Sequence, residues 1–379
     1  MGKRFASLLQ INLVILAFTA AWVGYTYINQ VSQEVRGIIW VLIVMVVTVA
    51  SIIASDVVHS IFHEIGHLLG GRLSGYSFLY FGCFKKVWIK ENGKLVRKNA
   101  NTKSAGGTSR LSPPEMKGDT FPFRLYFLSG ALMNLLFAAL FFFLFFLSAS
   151  TVPMFARIFL IFGLKGIIEF LMNFVPIKAD YVWNDGYTLF NLGREKNKDM
   201  NLTLWRSLQL QALLVEGHRP RDIPEMFYSW ANINKKIEDP FVFEAGFLKY
   251  KSLLDKGEFG DARACLQTLS NNLENTMKQN QGILNLEVLF LELIDKCREN
   301  KIQQLDTAEV KEYIKSSPLN ESMQRTLYAY ARLFMKDTAK AKAHLDLFHK
   351  ACANSVNLGT IPTERDLVEL VDKIAEKRK

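Results

Sequence analysis

Long apolar segments are the feature that most limits the fold of this chain. An uncharged run of about 21 residues covers 8–28, and a second run begins at residue 37. Two further runs, 121–147 and 154–176, are rich in Phe and Leu. About 20 apolar residues in a helix span the roughly 30 Å hydrocarbon core of a bilayer. The sequence therefore predicts an all-α polytopic membrane protein with about four transmembrane helices, the first of them an uncleaved anchor.

The net charge of +10 indicates how these segments are oriented. The connection 72–124 holds 11 Lys or Arg residues against 3 acidic ones. Positive charge retained in short connections marks the cytoplasmic side of a membrane. We therefore expect a multi-pass protein of the bacterial plasma membrane with this loop and both termini in the cytoplasm. Because the excess charge lies in the membrane-like half, we do not expect a nucleic-acid partner.

The same connection contains a predicted β-structure. Residues 76–84 and 87–96 are aromatic and β-branched, and Asn92-Gly93 is typical of a tight hairpin turn. We expect a small hairpin or sheet at the cytoplasmic face. A free edge between Phe78 and Val96 would allow an unwound peptide to bind as an added strand. Residues 105–108 and 112–114 indicate irregular backbone.

The chain after about residue 190 changes to polar helical sequence interrupted by prolines. Residues 246–269 and 327–348 weakly resemble tetratricopeptide helix pairs, but their spacing of about 80 residues is no multiple of the expected 34. This part is predicted to be a soluble α-helical domain that can bind a substrate or a protein partner. The 4 cysteines are widely spaced, which predicts neither a disulfide framework nor a zinc knuckle.

The segment His63-Glu64-Ile65-Gly66-His67 carries the strongest chemical signal. Its two imidazoles are four residues apart and therefore lie on one face of a helix. Such a pair holds Zn²⁺, a third protein ligand completes the site, and a water in the open position becomes acidic enough to lose a proton near neutral pH. Glu64 is placed to act as the general base for that water.

The third ligand must come from another segment. Asp180 and Asp185 both follow the last apolar run, and Gly186 slightly favours Asp185 because glycine permits tight backbone beside a metal. His59 is excluded as a ligand of the same ion, because it lies about 12 Å along the helix from His67. His59 is instead expected either to pair with Asp56 or to assist the site indirectly.

Two further motifs with polar residues lie within the apolar runs. Lys165 and Glu169 are four residues apart and are expected to form an ion pair. Gly130-Ala-Leu-Met-Asn134, taken alone, is compatible with close helix packing and an interhelical hydrogen bond.

Together these motifs resemble the site-2 proteases, zinc metalloproteases that cut substrates within or beside the membrane. Three elements match in order: His63-Glu64-x-x-His67, then Gly130-x-x-x-Asn134, then Asn173-x-x-Pro176 followed by Asp185-Gly186. The resemblance implies Asp185 as the third zinc ligand and Asn134 as a residue at the substrate or reaction centre. The gap between Pro176 and Asp185 is longer than in the common form of the motif, so Asp180 stays an alternative.

These observations predict a zinc-dependent intramembrane endopeptidase with one Zn²⁺ per chain. Its substrate would be a membrane-inserted or membrane-adjacent peptide, such as an anchor, leader or signal-type peptide. The alternative is a non-catalytic membrane binding or immunity protein that retains the fold, although the intact His63, Glu64 and His67 oppose it. A transporter is disfavoured because the sequence shows no internal repeat.

The predicted domain organisation has three parts. Residues 1–36 form the N-terminal anchor and an outer loop, and 191–379 form the cytoplasmic helical domain. The membrane core between them, 37–190, comprises the zinc helix 37–74, the membrane-face β region 75–120, transmembrane helices 121–147 and 154–176, and the third-ligand loop 177–190.

Overall fold

A computed structural model describes residues 35–99, 107–179, 182–191, 198–229, 240–271, 278–304, 307–317 and 319–378. The fold is mostly helical, with a small four-stranded antiparallel sheet. The chain divides into two compact units, the first of which contains residues 35–70, 124–177 and 184–189 of the described chain. The predicted anchor at 8–28 lies outside the described residues.

The first unit is built from helices α1 (Val35–Leu73), α2 (Arg124–Ser148) and α3 (Pro153–Phe174), followed by the short α4 (Asp185–Asn191). By length and composition alone, Trp40–Leu73 and Arg124–Ser148 are able to cross a membrane, and these are the two such helices in the described part of the chain.

Helix α3 has the predicted position of the fourth span but lacks the long uncharged stretch that α1 and α2 each contain. It carries three charged residues, Arg157, Lys165 and Glu169, within 22 residues. Two helices of the described residues are therefore long and apolar enough to cross a membrane, so the predicted four spans are not supported.

Small residues let these helices approach closely. A Cβ atom built on Gly66 of α1 would lie 2.4 Å from the Ser129 carbonyl oxygen of α2, and one on Gly166 of α3 would lie 2.8 Å from the Ala138 Cβ. Next to these contacts, the rings of Phe62 and Phe137 stack with their centroids 3.6 Å apart. Packing of this kind is typical of helices in lipid, where small residues permit backbone contact.

The second unit begins with the sheet, whose strands are β1 (Ser77–Cys83), β2 (Lys86–Glu91), β3 (Lys94–Asn99) and β4 (Thr108–Ser112). The predicted hairpin turn is present: Asn92 and Gly93 have φ values of 48° and 79°, the left-handed conformation that a two-residue hairpin loop requires. The apolar side chains of this sheet pack against helix α5 (Lys198–Glu216) through Ala212 and Val215.

The predicted free edge between Phe78 and Val96 is wrong on the Phe78 side, whereas Val96 lies in β3, an outer strand of the described sheet. The strand order is β3-β2-β1-β4, so β1 is an inner strand and Phe78 pairs with Leu111 of β4. The segment Thr108–Ser112, which overlaps both stretches where irregular backbone was expected, forms β4 because β1 pairs with it. Pairing between distant segments is not visible in the local sequence.

After β5 (Lys178–Ala179) and β6 (Val182–Trp183), the rest of the second unit is helical. Its longer helices beyond α5 are α6 (Pro240–Lys256), α7 (Phe259–Ser270), α8 (Lys278–Ile294), α9 (Glu299–Gln304), α10 (Ala308–Ser316), α11 (Glu321–Ala329), α12 (Thr338–Asn354) and α13 (Thr360–Lys377). One large apolar core joins residues from α6 to α13. The described residues after 190 are therefore mainly helical, as predicted.

Four charged side chains form a buried cluster within this helical domain. Lys251 lies 2.7 Å from Glu287 and 3.0 Å from Glu364, and Arg325 lies 2.6 and 3.0 Å from the same two carboxylates. Each carboxylate is therefore shared by two cations, which offsets the cost of removing these groups from water.

Candidate metal centre

His63, His67 and Asp185 come together in the first unit. His63 Nε2 is 3.0 Å from His67 Nε2, and Asp185 Oδ2 is 3.0 Å from the first and 3.1 Å from the second. The corners of this nearly equilateral triangle lie about 1.8 Å from its centre, whereas zinc binds such atoms at about 2.0–2.1 Å. The three atoms are therefore close enough together that one zinc ion could be held by all of them.

The orientation of the His67 ring is fixed by the backbone of α2. His67 Nδ1 lies 2.7 Å from the carbonyl oxygen of Tyr126, which can only accept a hydrogen bond. The proton of a neutral His67 is thereby held on Nδ1, and the lone pair of Nε2 faces His63 and Asp185. Metal-binding histidines usually have such an outer partner.

Gly130 of α2 lies directly against both rings. A Cβ atom at this position would be 2.6 Å from His67 Nε2, 2.7 Å from His63 Cε1 and 2.9 Å from His63 Nε2. Glycine is thus required for α2 to pass the two imidazoles. In the sequence, the Gly130-x-x-x-Asn134 motif was compatible with helix packing alone, and the fold places both of its ends beside the histidines.

Asp185 is positioned by a residue that sequence reasoning missed. The side-chain oxygen of Asn184 accepts hydrogen bonds from the backbone N–H groups of Ile177 (3.0 Å) and Tyr187 (2.8 Å), so it caps the start of α4. Its amide nitrogen donates to the carbonyl oxygens of Met172 and Val175. Asn184 thus ties the end of α3 to α4 and holds Asp185 beside the histidines.

Gly186 belongs to the same support. A Cβ atom on Gly186 would lie 2.1 Å from the Phe174 carbonyl oxygen, so only glycine allows this approach. An Asn before Asp-Gly is a recognisable capping signal, but its bonds to carbonyls 9 and 12 residues earlier depend on the fold. The alternative ligand Asp180 lies outside the described residues.

The local electrostatics favour an ionised Asp185. Burial by itself raises the pKa of this carboxyl, but as long as no metal is bound, attraction to His67 in its protonated form and hydrogen bonds from the His63 and His67 rings outweigh it and hold the pKa well below its ordinary value. Its side chain is 21% exposed and that of His63 is 13% exposed, so the cluster is not sealed. Glu64, next to His63 and half-buried, acts electrostatically on His67.

Asn134 is almost fully buried, at 1% exposure, and lies between two histidines. Its amide nitrogen is 3.4 Å from His63 Nδ1, and its amide oxygen is 3.3 Å from His59 Nδ1. Asn134 therefore contacts the candidate metal site through His63. The role of Asn134 at the reaction centre stays a prediction.

Asp56 and His59 do not pair with each other in the described structure. Asp56 forms an ion pair with Lys165 of α3 at 2.6 Å, while His59 contacts Asn134 and the Phe162 carbonyl oxygen. The predicted pair of Lys165 and Glu169 is confirmed at 3.2 Å. Lys165 is fully buried and therefore bridges two carboxylates from different helices.

The chain was compared with family models, characterised proteins and solved structures, and none of the three comparisons gave a match.

Proposed function

We propose that this protein is a zinc-dependent endopeptidase that cuts a peptide bond within or beside a membrane. One observation carries the proposal: two histidines of a long apolar helix and a distant aspartate bring their ligand atoms within 4.8 Å of one another, next to a glutamate. Carboxylate and imidazole donors with an open face are the donor set of catalytic rather than structural zinc sites. The resemblance of the three motifs to site-2 proteases supports the same conclusion.

The chemistry is divided between the metal and the side chains of the chain. Bound Zn²⁺ would supply a Lewis acid that lowers the pKa of a water molecule and polarises the scissile carbonyl. His63, His67 and Asp185 would hold the ion, while the Tyr126 carbonyl oxygen and the Asn134 amide orient the two rings. Glu64, beside His63 in the sequence, would act as the general base that takes a proton from water and passes it to the amine of the cleaved peptide.

We propose that the chain spans the bilayer in α1 and α2, and that the two other apolar runs of the sequence, 8–28 and 154–176, bring the number of spans to about four. Helix α1 has 39 residues and is about 58 Å long at 1.5 Å per residue, far more than the roughly 30 Å hydrocarbon core. His63 is near its C-terminal end, so the metal is nearer one membrane face. The basic connection after α1 assigns that face to the cytoplasm of a bacterial cell.

The substrate class follows from the membrane setting. A helical membrane segment hides its amides in internal hydrogen bonds, so a substrate must unwind before its carbonyl can be attacked. Short membrane anchors, leader peptides and signal-type peptides meet this condition most readily. The helical domain is proposed to bind the substrate or a partner protein in the cytoplasm.

The test is peptide cleavage by the purified protein in lipid vesicles, with a panel of synthetic single-span peptides analysed by mass spectrometry. Wild-type protein with zinc is expected to release defined fragments, and Glu64→Gln is expected to retain zinc but lose cleavage by at least about 100-fold. Asp185→Asn should weaken zinc binding and also lose cleavage. Equal cleavage by wild type and Glu64→Gln would refute the proposed chemistry, and zinc binding without cleavage of any peptide would favour a non-catalytic binding protein.

A further inference from the structure

His59 lies one helical turn before His63 and is too far from the metal cluster to bind the same ion. It is nevertheless fully buried and makes two polar contacts, at 3.0 Å from Nε2 to the Phe162 carbonyl oxygen and at 3.3 Å from Nδ1 to the Asn134 amide. The other end of that amide is 3.4 Å from His63 Nδ1. A continuous chain of contacts thus runs from the backbone of α3 through His59 and Asn134 to a metal-binding ring.

The direction of each hydrogen bond in this chain follows from its fixed end. A carbonyl oxygen only accepts, so the hydrogen of a neutral His59 is on Nε2 and points to Phe162. His59 Nδ1 is then an acceptor and requires the amide nitrogen of Asn134. A half-turn about the Cβ–Cγ bond of Asn134 exchanges its oxygen and nitrogen and preserves both contacts.

The amide oxygen of Asn134 is then turned toward His63 and accepts the hydrogen of Nδ1. A neutral His63 with its hydrogen on Nδ1 has the lone pair on Nε2, the atom that lies 3.0 Å from Asp185 and from His67. That is the tautomer a metal requires. If the amide faced the other way, its nitrogen would donate to His63 Nδ1 and place the hydrogen of the ring on the metal-facing atom.

The surroundings of His59 are shaped to hold this ring. Gly166 of α3 leaves the necessary room, because a Cβ atom there would lie 2.6 Å from His59 Cε1. The rings of Phe141 and Phe162 flank the imidazole at centroid distances of 6.2 and 6.5 Å. An imidazole among apolar groups costs free energy unless its nitrogens are satisfied, and here both have partners.

We propose that His59 is a positioning residue that acts through Asn134 to hold His63 in the tautomer that binds metal. The proposal rests on the metal site of the proposed function. In this proposal the Asn134 amide binds His63 rather than the substrate, which agrees with the 1% exposure of Asn134.

Zinc affinity, measured by competition with a chelator on the purified full-length protein, tests the proposal. His59→Phe keeps the ring volume but removes both contacts, and His59→Gln retains an amide only near the former Nε2 position. Both leave Asn134 in contact with His63 but free to turn either way, so they are expected to weaken zinc binding by about 5- to 10-fold, the low end of the roughly 10- to 100-fold effect of losing the outer partner of a metal-binding histidine itself. His59→Asn places an amide near the former Nδ1 position and is expected to restore affinity to within about threefold of wild type.

A second comparison separates positioning from a general loss of structure. In Asn134→Asp the carboxylate accepts from His63 Nδ1 in either orientation, so adding His59→Phe should produce no further loss of zinc affinity. The absorption spectrum of bound Co²⁺ should report the same pattern, because it depends on the ligand geometry. The matched control is Ser55→Ala, which removes another fully buried polar group of α1 whose hydroxyl bonds only to the Ile52 carbonyl among the contacts described.

The outcomes of the two hypotheses are distinct. Wild-type protein that binds no zinc refutes the proposed function itself. Wild-type and Ser55→Ala proteins that bind zinc, together with a His59→Phe protein that binds it equally well, refute the role of His59 and leave the metal site intact. The role of His59 is also refuted if His59→Phe weakens zinc affinity by the same factor in the wild-type background and in the Asn134→Asp background. In that case the effect of His59 would not depend on the Asn134 amide.

Discussion

Replacement of Gly130 by Ala tests whether α2 must pass the two imidazoles without a side chain. The new Cβ would lie 2.6 Å from His67 Nε2 and 2.7 Å from His63 Cε1, closer than the roughly 3.5–4.0 Å at which carbon atoms make favourable contact. The rings or the helix must therefore shift by about 0.8 Å or more, whereas metal–ligand distances tolerate only about 0.2 Å. We expect zinc affinity to fall by at least about 100-fold.

The free energy of unfolding of the zinc-free protein should change much less. Overpacking costs about 1–3 kcal/mol, and Ala in place of Gly in a helix returns about 1 kcal/mol. Gly163→Ala is the matched control, because the three atoms nearest to a Cβ there all belong to the Phe142 ring, at 3.2 Å. Zinc titration and thermal unfolding of both variants measure these effects. Wild-type zinc affinity in Gly130→Ala would refute the assigned geometry of the metal centre.

Three further predictions concern charged groups. Asp185→Asn should lower zinc affinity by at least about 10-fold without unfolding the protein, as measured by bound zinc and circular dichroism; an unchanged zinc content would remove Asp185 from the ligand set. Lys165→Met leaves Asp56 and Glu169 without their shared cation and should lower the free energy of unfolding of the first unit by about 1–3 kcal/mol, since both carboxylates are partly exposed. A thermal midpoint equal to that of wild type would contradict this. Burial raises the pKa of Glu287, but two cations outweigh burial and lower the pKa to about 2. The ionised Glu287 side chain therefore stabilises the fold fully above the unfolded-state pKa of about 4.5, and this stabilisation is lost as the pH falls toward 2. The thermal midpoints of wild type and Glu287→Gln should therefore approach each other as the pH is lowered from 6 to 3, and a constant difference between them would contradict the prediction.

The sequence was most informative where one helix sets the geometry. His63 and His67 share a face because their spacing is one helical turn, and Lys165 and Glu169 pair for the same reason. The Asn-Gly hairpin was equally local. These features needed no knowledge of neighbouring segments.

Features that depend on contacts between segments were missed or wrongly predicted. Asp56 pairs with a lysine on another helix rather than with its neighbour His59, because Lys165 is brought alongside only by packing. Asn184 holds Asp185 through carbonyls at the end of α3, which no spacing rule identifies. Strand β4 covers the edge expected at Phe78, since pairing partners are decided by the whole sheet.

The account depends most directly on the identity of the bound metal and its ligands. X-ray absorption at the zinc edge, combined with metal analysis of the purified protein, measures both. We predict one zinc per chain with two imidazole nitrogens at about 2.0–2.1 Å and carboxylate or water oxygens at about 2.0–2.2 Å. A protein without zinc, or zinc held at about 2.3 Å by sulfur from the cysteines, would contradict the assignment of His63, His67 and Asp185 as a catalytic metal centre.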